Sequence, residues 1–148
     1  MQAVGLAISN GIIASPVEPD WAALCFAANQ QAQIVASGKC PADTWQAVAG
    51  SNLLVDQGAP VAVKAGTADS DGLYSRTAVG LDRTGKNLWI VAIDDKQPLY
   101  SEGVTQTELA HILVNLGVYT ALNLDGGGST TLVTESPAGA TVLNSPIH

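Results

Sequence analysis

The sequence predicts an α+β (mixed α/β) fold: one β-rich domain over residues 1–148, with a central mixed sheet that holds one βαβ unit, plus several hairpins. Three observations predict it. Short apolar runs recur between turn-forming residues, the mark of strands. One stretch, Thr105 to Leu116, carries apolar residues at helical period. Continuous apolar runs stand on either side of that stretch, as expected of buried parallel strands.

The elements follow in order. Leu6 to Ile8 and Ile12–Ile13 flank Asn10-Gly11, a pair that accepts the positive φ angles of a type I′ hairpin turn. Trp21 to Ala27 and Ala32 to Ala36 flank the polar Asn29-Gln30-Gln31, a second hairpin. Pro41 to Val48 reads as one or two helical turns, with Asp43 or Thr44 as cap. Asn52 to Val55 and Pro60 to Val63 form a third hairpin around Asp56-Gln57-Gly58. Ala65 to Leu73, rich in Gly, Asp, Ser and Thr, is expected to be an exposed loop. Arg76 to Leu81 and Asn87 to Ile93 are strands joined by the turn Asp82 to Gly85. The run Leu88 to Ile93 has no polar residue and is expected to be buried on both faces.

In the helix over 105–116, Thr105 and Glu108 have capping-box spacing, and Leu109, Ile112, Leu113 and Leu116 form one apolar stripe. Gly117 stands where a left-handed C-terminal cap belongs. Val118 to Leu124 is a further buried strand ending at Asp125, and Thr130 to Thr134 the strand after it. If strands 87–93 and 118–124 are parallel, the crossover through the helix is a βαβ unit. The helix start then lies at the carboxyl ends of both strands, where α/β proteins bind ligands. Asp94, Glu108 and Asp125 all fall at that edge, so three carboxylates are expected to meet there. Such a group suits acid/base chemistry or cation binding.

Bulk properties exclude several classes. With 6 basic and 13 acidic residues, and a net charge of −7, the chain has no clustered Lys and Arg to grip phosphate backbones, so no nucleic-acid partner is expected. No apolar run approaches the roughly 20 residues of a membrane span. Met1 to Ile13 lacks the basic start of a signal peptide. Cys25 and Cys40 are too few for a zinc framework; they are either one disulfide or two reduced thiols, and the redox compartment decides which. His111 and His148 have no partner at ligand spacing and read as structural or solvent-facing. Trp21, Trp45 and Trp89 read as core before sugar-stacking platforms.

Asp125 is the acid hardest to explain structurally, because Gly126-Gly127-Gly128 follows it and leaves the backbone open to close approach. No Lys occupies a phosphate-gripping position and no helix follows, so this is not a nucleotide loop. The stretch Asn123-Leu-Asp-Gly-Gly-Gly-Ser-Thr-Thr131 resembles the signature of the phosphodiester glycosidase family. Ser75-Arg76-Thr77-Ala78-Val79-Gly80 resembles the family's Arg-Thr-Ala-hydrophobic-Gly strand. Trp89 to Asp94 resembles its apolar strand ending in Val-Asp-Gly, with Asp95 where the family usually has Gly. Ser101-Glu-Gly103 with Thr105 to Ala110 resembles its helix start, and Asn52 to Gly58 its Leu-Val-x-x-Gly hairpin.

The similarity is strongest over 76–131. The family's opening Asn-Gly-Gly-Phe-like strand and its Arg-hydrophobic-Ala-Asn segment are not found, so the domain is expected to lack family segments at both ends.

The resemblance implies hydrolysis of the bond between an N-acetylglucosamine-like sugar and a phosphodiester. Asp125 is then the first-choice catalytic carboxylate and Glu108 its partner, acting as acid or base if neighbouring carboxylates raise its pKa. Asp94 supports them. Arg76 clamps phosphate oxygens or pairs with an acid of the cluster. Thr77, Asn123, Gly126, Gly127, Gly128, Ser129 and Thr130 bind the sugar or diester. No cofactor is required by the family chemistry, and by resemblance the protein is exported. Two other classes compete: a non-catalytic module that binds a carbohydrate or cell-wall phosphodiester, and a calcium-dependent carbohydrate protein in which Asp94, Asp125 and the acidic loop Asp69 to Asp71 chelate the ion.

Overall fold

The computed structural model describes residues 4–62 and 72–147. The strands are β1 (Ala7–Ser9), β2 (Ile12–Ser15), β3 (Ala22–Ala27), β4 (Ala32–Val35), β5 (Thr44–Gly50), β6 (Asn52–Asp56), β7 (Ala59–Pro60), β8 (Arg76–Leu81) and β9 (Leu88–Ile93). Helix α1 (Gln106–Asn115) follows, then β10 (Thr120–Gly126), β11 (Val133–Ser136) and β12 (Gly139–Val142). One five-stranded sheet has the order β2-β1-β5-β3-β4, a second has β7-β6-β10-β8-β9, and β11 and β12 form a separate hairpin.

The order of layers follows from the two-residue alternation of strands. Along β8, Ala78 faces α1, whereas Val79 and Leu81 face the first sheet. Leu109, Ala110 and Leu113 of α1 pack on Leu54, Ala78 and Ala121 of the second sheet. On that sheet's other face, Val79, Leu81 and Leu122 meet Ala22, Leu24 and Ala32 of the first. The first sheet's outer face carries Leu6, Ala23 and Cys25. The layers are therefore sheet, sheet, helix.

The hairpin at Asn10-Gly11 forms as its turn chemistry predicts, with φ of 51° and 76° at the two residues. The hairpins β3–β4 and β6–β7 and the β8–β9 pair also form. Asp82 shapes the β8–β9 turn: its carboxylate accepts from the Thr84 hydroxyl, the Lys86 and Asn87 backbone N–H groups and the Asn87 amide. These bonds, the Thr84 one foremost, hold its pKa well below the usual carboxylate range.

Four expectations are corrected. The stretch 41–48 is not helical: after a turn at Ala42–Asp43 it enters β5, held between β1 and β3. Ala47 and Ala49 alternate onto the core beside Cys25, so pairing on two sides overrides weak local preference. The apolar strand at 88–93 is an edge and not a doubly covered strand; Leu88 and Ile90 are exposed. The last predicted strand begins at Val133, not Thr130, so the residues after the triple glycine remain loop.

The fourth correction concerns the mixed sheet expected around the βαβ unit: every neighbouring pair in the second sheet is antiparallel. β9 and β10 run the same way, but both are antiparallel to β8, which lies between them. The crossover therefore spans a strand and does not join neighbours. The loop expected at Ala65 to Leu73 lies mostly outside the described residues.

Cys25 and Cys40 form a disulfide, with Cα atoms 5.8 Å apart. It ties β3 to the segment that leads into β5. Among the described residues no helix is long and apolar enough to cross a membrane.

Candidate functional site

A cleft of about 820 Å³ opens where the chain passes from the first sheet to the second. That passage is abrupt: β5 ends at Gly50 and β6 starts at Asn52. A Cβ at Gly50 would lie 2.3 Å from the Asn123 carbonyl oxygen, so only glycine lets the two sheets close here. Ser51 and Asn52 consequently stand in the cleft wall beside Asn123. The end of β10, Asn123 to Gly127, also lines the cleft, as do Ser75, Arg76 and, from the first turn of α1, Gln106. Val4 and Trp21 add an apolar side.

The glycine loop is seated by backbone contacts. Gly127 N–H donates to the Ser75 carbonyl at 3.2 Å, and a Cβ at Gly126 would lie 2.2 Å from that same oxygen. Any side chain at Gly126 would lift the loop off the chain before β8. Asp125 is exposed, and its Oδ1 accepts from Gly126 N–H at 2.8 Å. The bond holds the carboxylate against its own loop at the cleft.

Of the three acids expected to meet, only Asp125 lines the cleft. Glu108 closes the capping box: its Oε2 accepts from Thr105 N–H at 2.8 Å and from the Thr105 hydroxyl at 2.9 Å. The raised pKa on which an acid/base role for Glu108 depended is not found; the shift is downward. Bonds from the Thr105 backbone and then its hydroxyl favour the charged form and lower the pKa. The reason is helix geometry. Residues 106 and 108 point roughly 200° apart around α1, so the turn that brings Gln106 to the cleft sends Glu108 to solvent.

A pH dependence follows. A carboxylate with a lowered folded-state pKa contributes stability that is full above its unfolded pKa and is lost as pH falls through the folded value. Melting curves of the wild type and Glu108→Gln, compared from pH 6 downward, should converge as the cap protonates. A difference that widens on acidification would refute this role.

Asp94 is buried and also lies outside the cleft lining. Its carboxylate accepts from the Asn144 amide at 2.7 Å, Ser145 N–H at 2.9 Å and the Tyr100 hydroxyl at 3.3 Å. Asn144 in turn donates to the Thr130 carbonyl and accepts from Leu132 N–H, both at 2.7 Å. Asp94 thus anchors the C-terminal segment that props the far side of the glycine loop.

The expected binding residues divide in the same way. Arg76, Asn123, Gly126 and Gly127 line the cleft; Thr77, Gly128, Ser129 and Thr130 do not. Thr77 is excluded by strand alternation, because its neighbour Arg76 takes the other face. Arg76 is buried. Its Nη2 donates to the Gly72 carbonyl at 3.2 Å and its Nε to that of Val104 at 3.4 Å, and it lies over the Tyr74 ring at 5.3 Å. Among the tryptophans, Trp21 lines the cleft, Trp45 is exposed and Trp89 packs against the core under α1.

Sequence reasoning missed Ser51, Ser75 and Gln106 as cleft residues. Gln106 carried one usable signal: it shares a helix face with Leu109, Ala110 and Leu113, an odd place for an amide. Among the described residues no three of His, Cys, Asp or Glu are grouped to hold a metal ion. The proposed calcium ligands Asp69 and Asp71 fall outside the described residues.

A family model described as phosphodiester glycosidase matches residues 1–148. Bovine N-acetylglucosamine-1-phosphodiester alpha-N-acetylglucosaminidase is 42% identical over 61 residues, which are 41% of this chain and 11% of the bovine protein. The solved catalytic domain of the zebrafish N-acetylglucosamine-1-phosphodiester alpha-N-acetylglucosaminidase superposes with a TM-score of 0.69 at 24% identity. That match covers 88% of this chain and 48% of the zebrafish chain, so the chain spans about half of it.

Proposed function

The chain belongs to the phosphodiester glycosidase family, and from that premise we propose that it hydrolyses the bond between a sugar of the N-acetylglucosamine type and a phosphodiester. The products are free sugar and a phosphomonoester. The observation that carries this reading is the pairing of Asp125 with Arg76 in one cleft, as the single anion and single cation among its described lining residues.

The chemistry needs little more. A water oxygen attacks the anomeric carbon, the bond from that carbon to the phosphate oxygen breaks, and its electron pair leaves with the phosphate. Phosphate is a good leaving group, so no general acid is required. That suits a cleft from which Glu108 and Asp94 are absent. Asp125 takes the proton of the attacking water and steadies the positive charge of the oxocarbenium-like state. The delocalised charge of Arg76 complements the phosphate. The Cys25–Cys40 disulfide supports residence in an oxidising compartment, and hence export.

Incubation with an N-acetylglucosamine-1-phosphodiester, with free sugar and phosphomonoester measured together, tests the reading. Equimolar release is expected. Saturable binding without release would favour the second reading, a carbohydrate-binding module, for which the single carboxylate among the described lining residues also speaks.

A further inference from the structure

Three side chains of the cleft wall hold oxygens that the protein does not satisfy. Ser75 Oγ, Gln106 Oε1 and Asn123 Oδ1 are each buried without a hydrogen-bond partner. They come from three places in the chain: the residue before β8, the first turn of α1 and the middle of β10. The residues are 2%, 1% and 4% exposed, yet all three line the cleft. Buried polar atoms are nearly always paired, because an unpaired one keeps the desolvation cost without the compensating bond. Three unpartnered oxygens around one cleft, two amide acceptors and a hydroxyl that can accept or donate, are not expected of a structural wall.

Other features make the set directional. The Asn123 amide already donates to Ser51 Oγ at 3.2 Å, which leaves its oxygen as the unused end. Gln106 lies on the apolar face of α1 beside Leu109, where a methionine or leucine would pack at no polar cost. Trp21 supplies an aromatic surface in the same cleft, and Gly5 packs tightly on its indole: a Cβ there would lie 2.8 Å from the ring. The terminal torsion of an amide is broad, so a modest rotation suffices to aim Gln106 Oε1 at a ligand in the cleft.

We infer that Ser75, Gln106 and Asn123 form an acceptor shelf that binds the hydroxyl and N–H donors of a sugar ring, with Trp21 offering its apolar side. This deepens the proposed glycosidase reading and rests on the same cleft, but it assigns the sugar's position to residues outside the Asp-Gly-Gly-Gly loop. An acceptor-rich wall selects ligands by their donors. A ring oxygen or a phosphodiester offers none, so the two amide oxygens face the sugar hydroxyls and the phosphate is left to the Arg76 side.

The decisive variant is Gln106→Met, which keeps the volume and removes the polar atoms. Saturation-transfer NMR and titration calorimetry with free N-acetylglucosamine read sugar binding directly, without turnover. A loss of about tenfold in affinity is expected, the usual scale of one lost polar contact. Thermal melting of the sugar-free protein should give an unchanged or higher Tm, since an unsatisfied buried amide has been replaced by an apolar group. A lower Tm with unchanged sugar affinity would make Gln106 a structural residue and overturn the shelf. Failure of the wild type to bind the free sugar at millimolar concentration would overturn it too. Sugar release from the phosphodiester is scored separately. A protein that binds the sugar through Gln106 but releases none upholds the shelf and refutes only the hydrolase reading.

Discussion

Replacing Asp125 with Asn is expected to lower kcat on a sugar-1-phosphodiester by about 10³-fold, within the range set by loss of one positioned acid or base, or roughly 4 kcal/mol of transition-state stabilisation. The substitution separates chemistry from structure. Asn keeps an oxygen to accept from Gly126 N–H, the contact that now holds the Asp125 carboxylate at 2.8 Å. The side chain is exposed, so its packing contributes little to the fold. What disappears is the charge and the capacity to take a proton. Tm should stay within about 2 °C of the wild type, because a surface substitution that preserves its bond shifts stability by only a few tenths of a kcal/mol. KM should change far less than kcat, since the leaving phosphate is held on the Arg76 side. Steady-state kinetics and a melting curve on the same preparation decide the matter. Undiminished kcat in a folded variant would remove Asp125 from the chemistry and leave the glycine loop as a binding element alone.

The largest expected effect on stability comes from the disulfide. Cys25 and Cys40 are separated by 15 residues, a loop whose closure is worth about 3 kcal/mol in the chain-entropy account. For a domain of this size, removing it should lower Tm by roughly 10 °C. The bond does more than shorten a loop. Cys25 lies in the cluster on the outer face of the first sheet, with Leu6 and Ala23. Cys40 precedes β5, the strand that ends at Gly50 and delivers Ser51 and Asn52 to the cleft. Loosening that segment should therefore raise KM as well as lower Tm. The double variant Cys25→Ala/Cys40→Ala, melted beside the oxidised and reduced wild type, provides the measurement. Equal melting temperatures for oxidised and reduced wild type would show that the crosslink contributes nothing to the folded state.

Much of the molecule was legible in single segments. Asn10-Gly11 specifies its turn because both residues tolerate positive φ. Thr105 and Glu108 specify the start of α1 because their spacing closes two bonds across one helical turn. The Asp-Gly-Gly-Gly run specifies an open loop at a strand end. Each of these is a contact between residues within a few positions of one another. The 41–48 segment failed for the opposite reason. Its strand state depends on β1 and β3, which no local pattern in 41–48 reports.

The sequence by itself determined the family, the hairpins, the capped helix and the identity of the loop that carries Asp125, since short-range chemistry sets them. Only the tertiary structure decided which side chains share the cleft. Strand β8 lies between β9 and β10, helix α1 turns Gln106 inward and Glu108 outward, and Asp94 is drawn into holding Asn144. Those outcomes depend on which face of each element meets a partner far away in the chain. A displacement of one residue in a strand, or two in a helix, sends a side chain to the opposite side. The three acids that topology placed at one edge were thus separated by facing, and the cleft was completed by Gln106, whose helix face the pattern shows, and by Ser51 and Ser75, whose local sequence does not show which face they take.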